Sequence, residues 1–362
     1  MAFEASKTEW QELCLFFYIL AEGGIWKGNR KGTSSDCTTW LPIDSVMRKE
    51  HDGERVYQIT DEGVVCTVHE EAILVARTLF GEAAQKIMDA VKKSEGDEVE
   101  SPEGVEEFLD RLCIFDLQPQ TQDRTDLRIR FKGEERYVGL IIRTRMGRMS
   151  PLLDGGRSAN LKLELLGRKM SNPEICNINS VEKGDNTVAE RIHYIEYLGG
   201  TLKYCEVAEK IFRSNLAMID LQFGRILACM VRHFHEENIS SIKELTEWIE
   251  CSNPLKVKEE TIVKNGFYRY KVKQFLMALL SGMRAGRIYT GECSMIEGLL
   301  LLLPDGKVLC YRKDHTDDLA DFLYENTRLE KGALEKDKYG ELVKENGKYY
   351  FRLNVKVGFT KR

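Results

Sequence analysis

Apolar residues recur at helical spacing near the start of the chain. Trp10, Leu13, Cys14, Phe17 and Leu20 follow an i, i+3, i+4, i+7 pattern behind Ser6-Lys7-Thr8-Glu9, which reads as a capping box. The pattern predicts an amphipathic helix running to about Ala21 and stopped by Gly23-Gly24. Short alternating runs predict strands at residues 40–47, 56–59 and 64–68. Helices are expected at 72–93 and 105–112, separated by the acidic, turn-rich KKSEGDEVESPEG. Two further alternating runs, 126–131 (DLRIRF) and 137–144, flank KGEER and predict a hairpin; another strand is expected at 161–166. Later come helices at 216–234, 242–251, 268–283 and 317–326. LLLLLPDGKVLCYR reads as a hairpin on a Pro-Asp-Gly turn, and a closing hairpin turns at Glu345-Asn346-Gly347. The polar stretch at 169–186 is the expected domain boundary, dividing the chain into 1–170 and 171–362. The fold class is α/β in the α+β sense: a mixed sheet flanked by helices, followed by a C-terminal α+β region.

One stretch breaks the rule that a packed strand face is apolar. In GLIIRTRMG, residues 139–147, Ile141, Arg143 and Arg145 share a face, while Leu140, Ile142 and Thr144 share the other. Arginine is costly to hold on a packed face unless an anion meets it. On the preceding strand Asp126, Arg128 and Arg130 alternate with Leu127, Ile129 and Phe131, so a hairpin places Asp126 and Arg128 on the face of Ile141 and Arg143.

Composition narrows the setting. The 362 residues are 43% hydrophobic and 31% charged, ordinary for a soluble globular protein. No apolar run long enough for a membrane span is present, and the N-terminus lacks signal-peptide order. Ten cysteines with no C-x-x-C pair suit reduced thiols, so a soluble, cytoplasmic protein is expected. The net charge of −5 argues against a generic nucleic-acid coat protein. Its distribution matters more: residues 61–120 hold 15 acidic against 5 basic side chains, whereas residues 121–170 hold 12 basic against 6 acidic. The reversal suits either a polyanion site or a solvated face.

Several chemistries are absent: there is no G-x-x-x-x-G-K-[ST], H-E-x-x-H or G-x-S-x-G. His233-x-His235, on a charged helix end, reads as a solvated pair rather than a metal site. Asp220, in AMIDLQFGRIL, reads as a hydrogen-bonded or capping acid, and Phe17, Tyr18 and Trp26 as core. What remains is Asp126 with the arginine-bearing strand. A metal-dependent nuclease needs carboxylates that converge on a divalent cation and a cation that stabilises charge building on phosphorus. Sheet-based nucleases draw these from a hairpin, Asp on one strand and acid-x-Lys on the next. The spacing from Asp126 to Ile141 fits, but Ile141 stands where the acid belongs and Arg143 where the lysine belongs.

Motifs along most of the chain resemble those of the HpaII-type restriction endonucleases. They are Thr8-Glu9-Trp10-Gln11-Glu12, LCIFDLQPQTQDRTDLRIRF, GLIIRTRMGRMSPLL, SNPLK with KQFLMALLSGM, Tyr289-Thr290-Gly291 with ENTRLE, and the closing LNVKVGF. The resemblance implies a restriction-enzyme-like core of the PD-(D/E)xK class. It further implies hydrolysis of double-stranded DNA with Mg²⁺ or Mn²⁺ at a short palindromic site (CCGG for the namesake), and hence a homodimer. Residue by residue, Asp126 becomes the metal ligand, Ile141 replaces the family's serine and Arg143 its lysine. Lys356 and Gly358 replace a Gln and an Arg of the closing motif, and the segment after Leu152-Leu153 is reduced to Ser158-Ala159-Asn160.

Arginine keeps the charge of the missing lysine and braces phosphate bidentately, but it cannot exchange a proton with water. Asp126 and Arg143 are therefore the expected catalytic residues, and Asp126 with Glu164 the expected metal ligands. Glu9, Glu12 and Asp123 are accessory acids, and Arg145 and Arg128 are phosphate contacts. Arg269, Lys271, Lys273, Arg284 and Arg287 are candidates for DNA contact in the second half. Three readings stay open: an active nuclease, a DNA-binding protein with a dismantled centre, and a structural protein with a basic solvated face.

Overall fold

The structure, a computed structural model, describes residues 4–68, 71–118, 125–147, 149–291 and 295–360. The first helix spans Lys7–Glu22, and both halves of its capping box form: Ser6 Oγ accepts from the Glu9 N–H, and the Glu9 carboxylate accepts from the Ser6 N–H. It ends where Gly23, at φ 71°, enters the left-handed region and donates its N–H to the Ile19 carbonyl.

This helix packs on a nine-stranded mixed sheet. Its strand order is Gly24–Lys27, Val308–Arg312, Gly298–Leu302, Val138–Thr144, Leu127–Phe131, Trp40–Glu50, Gly53–Ile59, Val64–Val68, Glu71–Val75. The first of these also pairs with the start of the long Trp40–Glu50 strand, so six strands form a closed circuit. Trp10, Leu13, Phe16, Phe17 and Leu20 meet Val46, Tyr57, Ile129, Leu140, Ile142 and Leu300 in one core. A second helix, Arg77–Lys93, adds Phe80, whose ring meets Phe17 edge-on at 5.6 Å. Val138–Thr144 is antiparallel to Leu127–Phe131 but parallel to Gly298–Leu302. Close approach there requires glycine at 139, since a Cβ would lie 2.2 Å from the Met295 carbonyl oxygen.

Inside the core, Arg48 and Glu50 form a buried ion pair at 2.5 Å. Tyr57 donates its hydroxyl to Glu50 at 2.6 Å, and Arg48 also donates to the carbonyls of Asp116 and Leu117 at 2.8 and 2.7 Å. The arginine thereby ties the start of the segment that leads toward Asp126 to the middle of the sheet.

The chain packs as two compact units, and a single cut after residue 170 does not describe them. The first takes residues 1–149 and 293–322, so far as these are described; the second takes 150–292 and 323–360, on the same terms. In the second unit a four-stranded sheet runs Gly200–Val207, Asn160–Gly167, Lys348–Asn354, Leu342–Glu345. Helices Phe223–Glu237, Ile242–Ser252 and Phe267–Leu280 also lie in this unit. Among the described residues no helix is long and apolar enough to cross a membrane.

Several expectations need correction. The helix expected from 72 begins at Arg77, because Glu71–Val75 pairs with Val64–Val68 as a hairpin. The helix expected over 216–234 is two, Lys210–Ala217 and Phe223–Glu237. Asp220 lies in the break, accepts the Gln222 N–H at 2.8 Å and pairs with Lys271 at 3.3 Å, so of the two roles its sequence suggests it takes the hydrogen-bonded one rather than that of a helix cap. The stretch 169–186 contains the capped helix Asn172–Asn179 inside the second unit rather than a boundary.

Removing one partner of a buried ion pair leaves the other charge stranded. Arg48→Met is expected to destabilise the protein by about 3–5 kcal/mol in equilibrium denaturation. The double variant Arg48→Met/Glu50→Gln should recover a substantial part of that loss.

Candidate active site

Asp126 stands just before the Leu127–Phe131 strand, and its side chain joins the sheet ladder. Its N–H donates to the Leu140 carbonyl at 2.9 Å, while its carboxylate accepts the Ile142 N–H at 2.6 Å. The acid is thus held in the backbone of the strand that carries Arg143, and a charge-assisted bond of this kind is among the stronger ones.

The first helix supplies the next group. Gln11 is buried and accepts a hydrogen bond from Thr144 Oγ1, which fixes the rotation of the helix over this strand. That rotation brings Glu12 toward Asp126 and Arg143. Burial first, and the Asp126 carboxylate second, push the Glu12 carboxyl up to about 8, against the opposing pull of Arg143, a hydrogen bond from Gln118, and Arg48. Arg143 responds in the opposite sense. Burial holds its guanidinium below the ordinary arginine range, and Asp126 and Glu12 pull it back up. Its Nη1 donates to the neighbouring Ile142 carbonyl at 2.6 Å, and its buried Nε has no hydrogen-bond partner among the described residues. Among the described residues, Asp126 and then Glu12 are the carboxylates whose charge acts on Arg143.

The remaining sequence candidates lie as follows. Arg145, at the end of the strand, donates to the Lys31 carbonyl at 3.3 Å and packs close to Gly32. Arg128 forms an ion pair with Glu54 at 3.1 Å, and Arg130 one with Asp44 at 2.5 Å. Glu9 is engaged in the capping box. Glu164 was expected as a metal ligand on the next strand in sequence; the strand that pairs parallel beside Arg143 is Gly298–Leu302. Glu164 lies instead in the four-stranded sheet of the second unit, 2.7 Å from Lys348. Asp123 falls outside the described residues. Arg269, Lys271 and Lys273 sit on the Phe267–Leu280 helix, and Arg284 and Arg287 in the turn beyond it. His233 stacks on Trp248 at 3.8 Å, whereas His235 is buried rather than solvated; burial and then Lys331 push its imidazole down to about 3. Sequence reasoning missed Gln11, Gln118 and Arg48. Only Arg48 left a signal, as a charge at an inward position of an alternating strand.

Among the described residues no group of three or more His, Cys, Asp and Glu gathers. The pair Asp126 and Glu12 nonetheless suits a hard divalent cation such as Mg²⁺. Both offer oxygen donors, their mutual repulsion favours a proton or a cation between them, and Mg²⁺ takes only one or two protein carboxylates.

A helix and two neighbouring strands of one mixed sheet thus bring Glu12, Asp126 and Arg143 within electrostatic reach of one another. The chain belongs to the HpaII restriction endonuclease family, whose model matches residues 6–359. It is 26% identical over 363 residues to the Type II restriction enzyme HpaII of Haemophilus parainfluenzae, with 99% of each chain covered. No solved structure matches it.

The Glu12 carboxyl holds a proton in the folded state at pH values where the unfolded chain has released it. Its contribution to stability is therefore full below about pH 4.5 and is lost as the pH rises through about 8. Glu12→Gln should melt higher than the parent at pH 8.5 and similarly at pH 4, in metal-free thermal denaturation.

Proposed function

We propose that this restriction endonuclease family member hydrolyses phosphodiester bonds of double-stranded DNA with a divalent metal, at a short palindromic site of the CCGG type, as a homodimer. The convergence of Glu12, Asp126 and Arg143 carries the reading. Asp126 and Glu12 would hold the metal. When bound, Mg²⁺ supplies Lewis acidity to the phosphate and lowers the proton affinity of its water.

In the reaction, a water oxygen bonds to phosphorus, one ester P–O bond breaks, the water gives up a proton and the leaving oxygen gains one. The protein's part is positioning and charge. Asp126 is immobilised through Ile142, so it needs no reorganisation when charge develops. The charge of Arg143 acts on Asp126, and its buried Nε, which has no hydrogen-bond partner among the described residues, is a candidate donor for a phosphate oxygen. Arginine stabilises charge there without serving as a base. Recognition of the duplex calls for phosphate contacts and base contacts, for which Arg145 and Arg128 and the basic residues of the Phe267–Leu280 helix stand as candidates.

One observation favours a second reading, a DNA-binding protein with a weakened centre: Ile141 offers no ligand and Arg143 no exchangeable proton. Incubation of the purified protein with CCGG-rich plasmid in Mg²⁺, Mn²⁺ or chelator separates the two. The nuclease reading expects discrete, metal-dependent fragments whose mapped ends share one site. Asp126→Ala should abolish them, and Glu12→Gln should reduce the rate by about 10²-fold or more. Intact plasmid that shifts on a gel only at low salt would establish the binding reading instead.

A further inference from the structure

If Arg143 is the site's arginine and no lysine follows Ile141, a compact ammonium has to come from elsewhere in the sheet or be absent. The Trp40–Glu50 strand pairs antiparallel with Leu127–Phe131, with Ser45 opposite Arg130, Val46 opposite Ile129 and Met47 opposite Arg128. Continued by two residues, this register sets Lys49 across from Asp126, on the side away from Ile141 and Arg143. Residues directly opposite one another in an antiparallel pair project from the same face. The surface agrees, because Lys49 lines one small recess together with Asp126, Thr125, Arg128, Met47 and Glu54.

Among the described residues around this recess, Glu54 and Arg128 are matched to each other. Glu54 lies opposite Lys49 across the strand pair, yet its carboxylate is taken by Arg128 at 3.1 Å. Lys49 forms no hydrogen bond or ion pair among the described residues. An intermediate-exposure ammonium with no anion of its own among the described residues, beside a carboxylate proposed to hold metal, is suited to an incoming anion.

We propose that Lys49 contacts the DNA phosphate at this centre, supplying from the Trp40–Glu50 strand the ammonium that Arg143 has displaced from the usual one. The inference rests on the nuclease reading of the site. Lysine is a compact, strongly hydrated point charge, and a phosphate contact of this type releases about one counterion on binding.

The test compares Lys49→Met, Lys49→Arg and the parent in two measurements. In chelator, fluorescence anisotropy follows the affinity for a CCGG duplex against salt. Lys49→Met should flatten the plot of log K against log salt by about one, whereas Lys49→Arg should keep the parent slope. In Mg²⁺ with saturating enzyme, the single-turnover cleavage rate should fall by about 10²-fold or more in Lys49→Met and by about tenfold or less in Lys49→Arg. Unchanged melting temperatures establish that the variants are folded. A Lys49→Met protein with the parent slope, or one that cuts within threefold of the parent, overturns the role of Lys49 while cleavage by the parent and its loss in Asp126→Ala leave the nuclease reading standing. A parent that neither binds nor cuts overturns both.

Discussion

The site depends on a side chain doing the work of a backbone group. Where the ladder between two central strands would continue, the Asp126 carboxylate accepts the N–H of Ile142 in place of a main-chain carbonyl. The position of the acid is thus set by strand register, which a one-residue slip would destroy for every side chain at once. Arg143 follows Ile142 directly, so the anion and the cation are indexed to the same bond.

The second constraint is the first helix, which has two jobs on adjacent residues. Gln11 is buried against Thr144 and locks the helix to the sheet; Glu12, the next residue, is buried within electrostatic reach of Asp126. A carboxyl is costly to bury beside another carboxylate, and that cost is expressed as the raised proton affinity of Glu12. Arg48 helps from below, since the pair it makes with Glu50 anchors the carbonyls of Asp116 and Leu117 close to Gln118, which hydrogen-bonds Glu12. The electrostatic tension at the top of the sheet is thus supported by a neutral, fully bonded network inside it.

Local rules recovered much of the fold. The capping box, the Asp126 hairpin, the Pro-Asp-Gly hairpin and the closing Asn-Gly turn each announce themselves through residues that are neighbours in sequence. The failures share a cause. Glu71–Val75 carries helix-compatible residues but is claimed by a strand partner, and nothing local reveals that Gly298–Leu302 would lie beside Arg143. The same limit left unread that the strand of Glu164 joins the four-stranded sheet. Asp126, Glu12 and Arg143 were all legible as residue types. Glu12 had no rank over Glu9 until the capping box claimed the one and the core the other.

The parallel partner of the Arg143 strand comes from far along the chain, with Leu301 standing beside Arg143. During synthesis the ribosome delivers residues in order, so the hairpin that bears Asp126 and Arg143 emerges long before the strand that completes its other edge. Until then that edge is open, with unpaired amides and carbonyls in place of a neighbour. The sheet therefore reaches its finished form only when about five-sixths of the chain has been made. A protein fragment cut short by a stalled ribosome carries the charged residues of the centre on a sheet whose edge beside Arg143 is still unpaired.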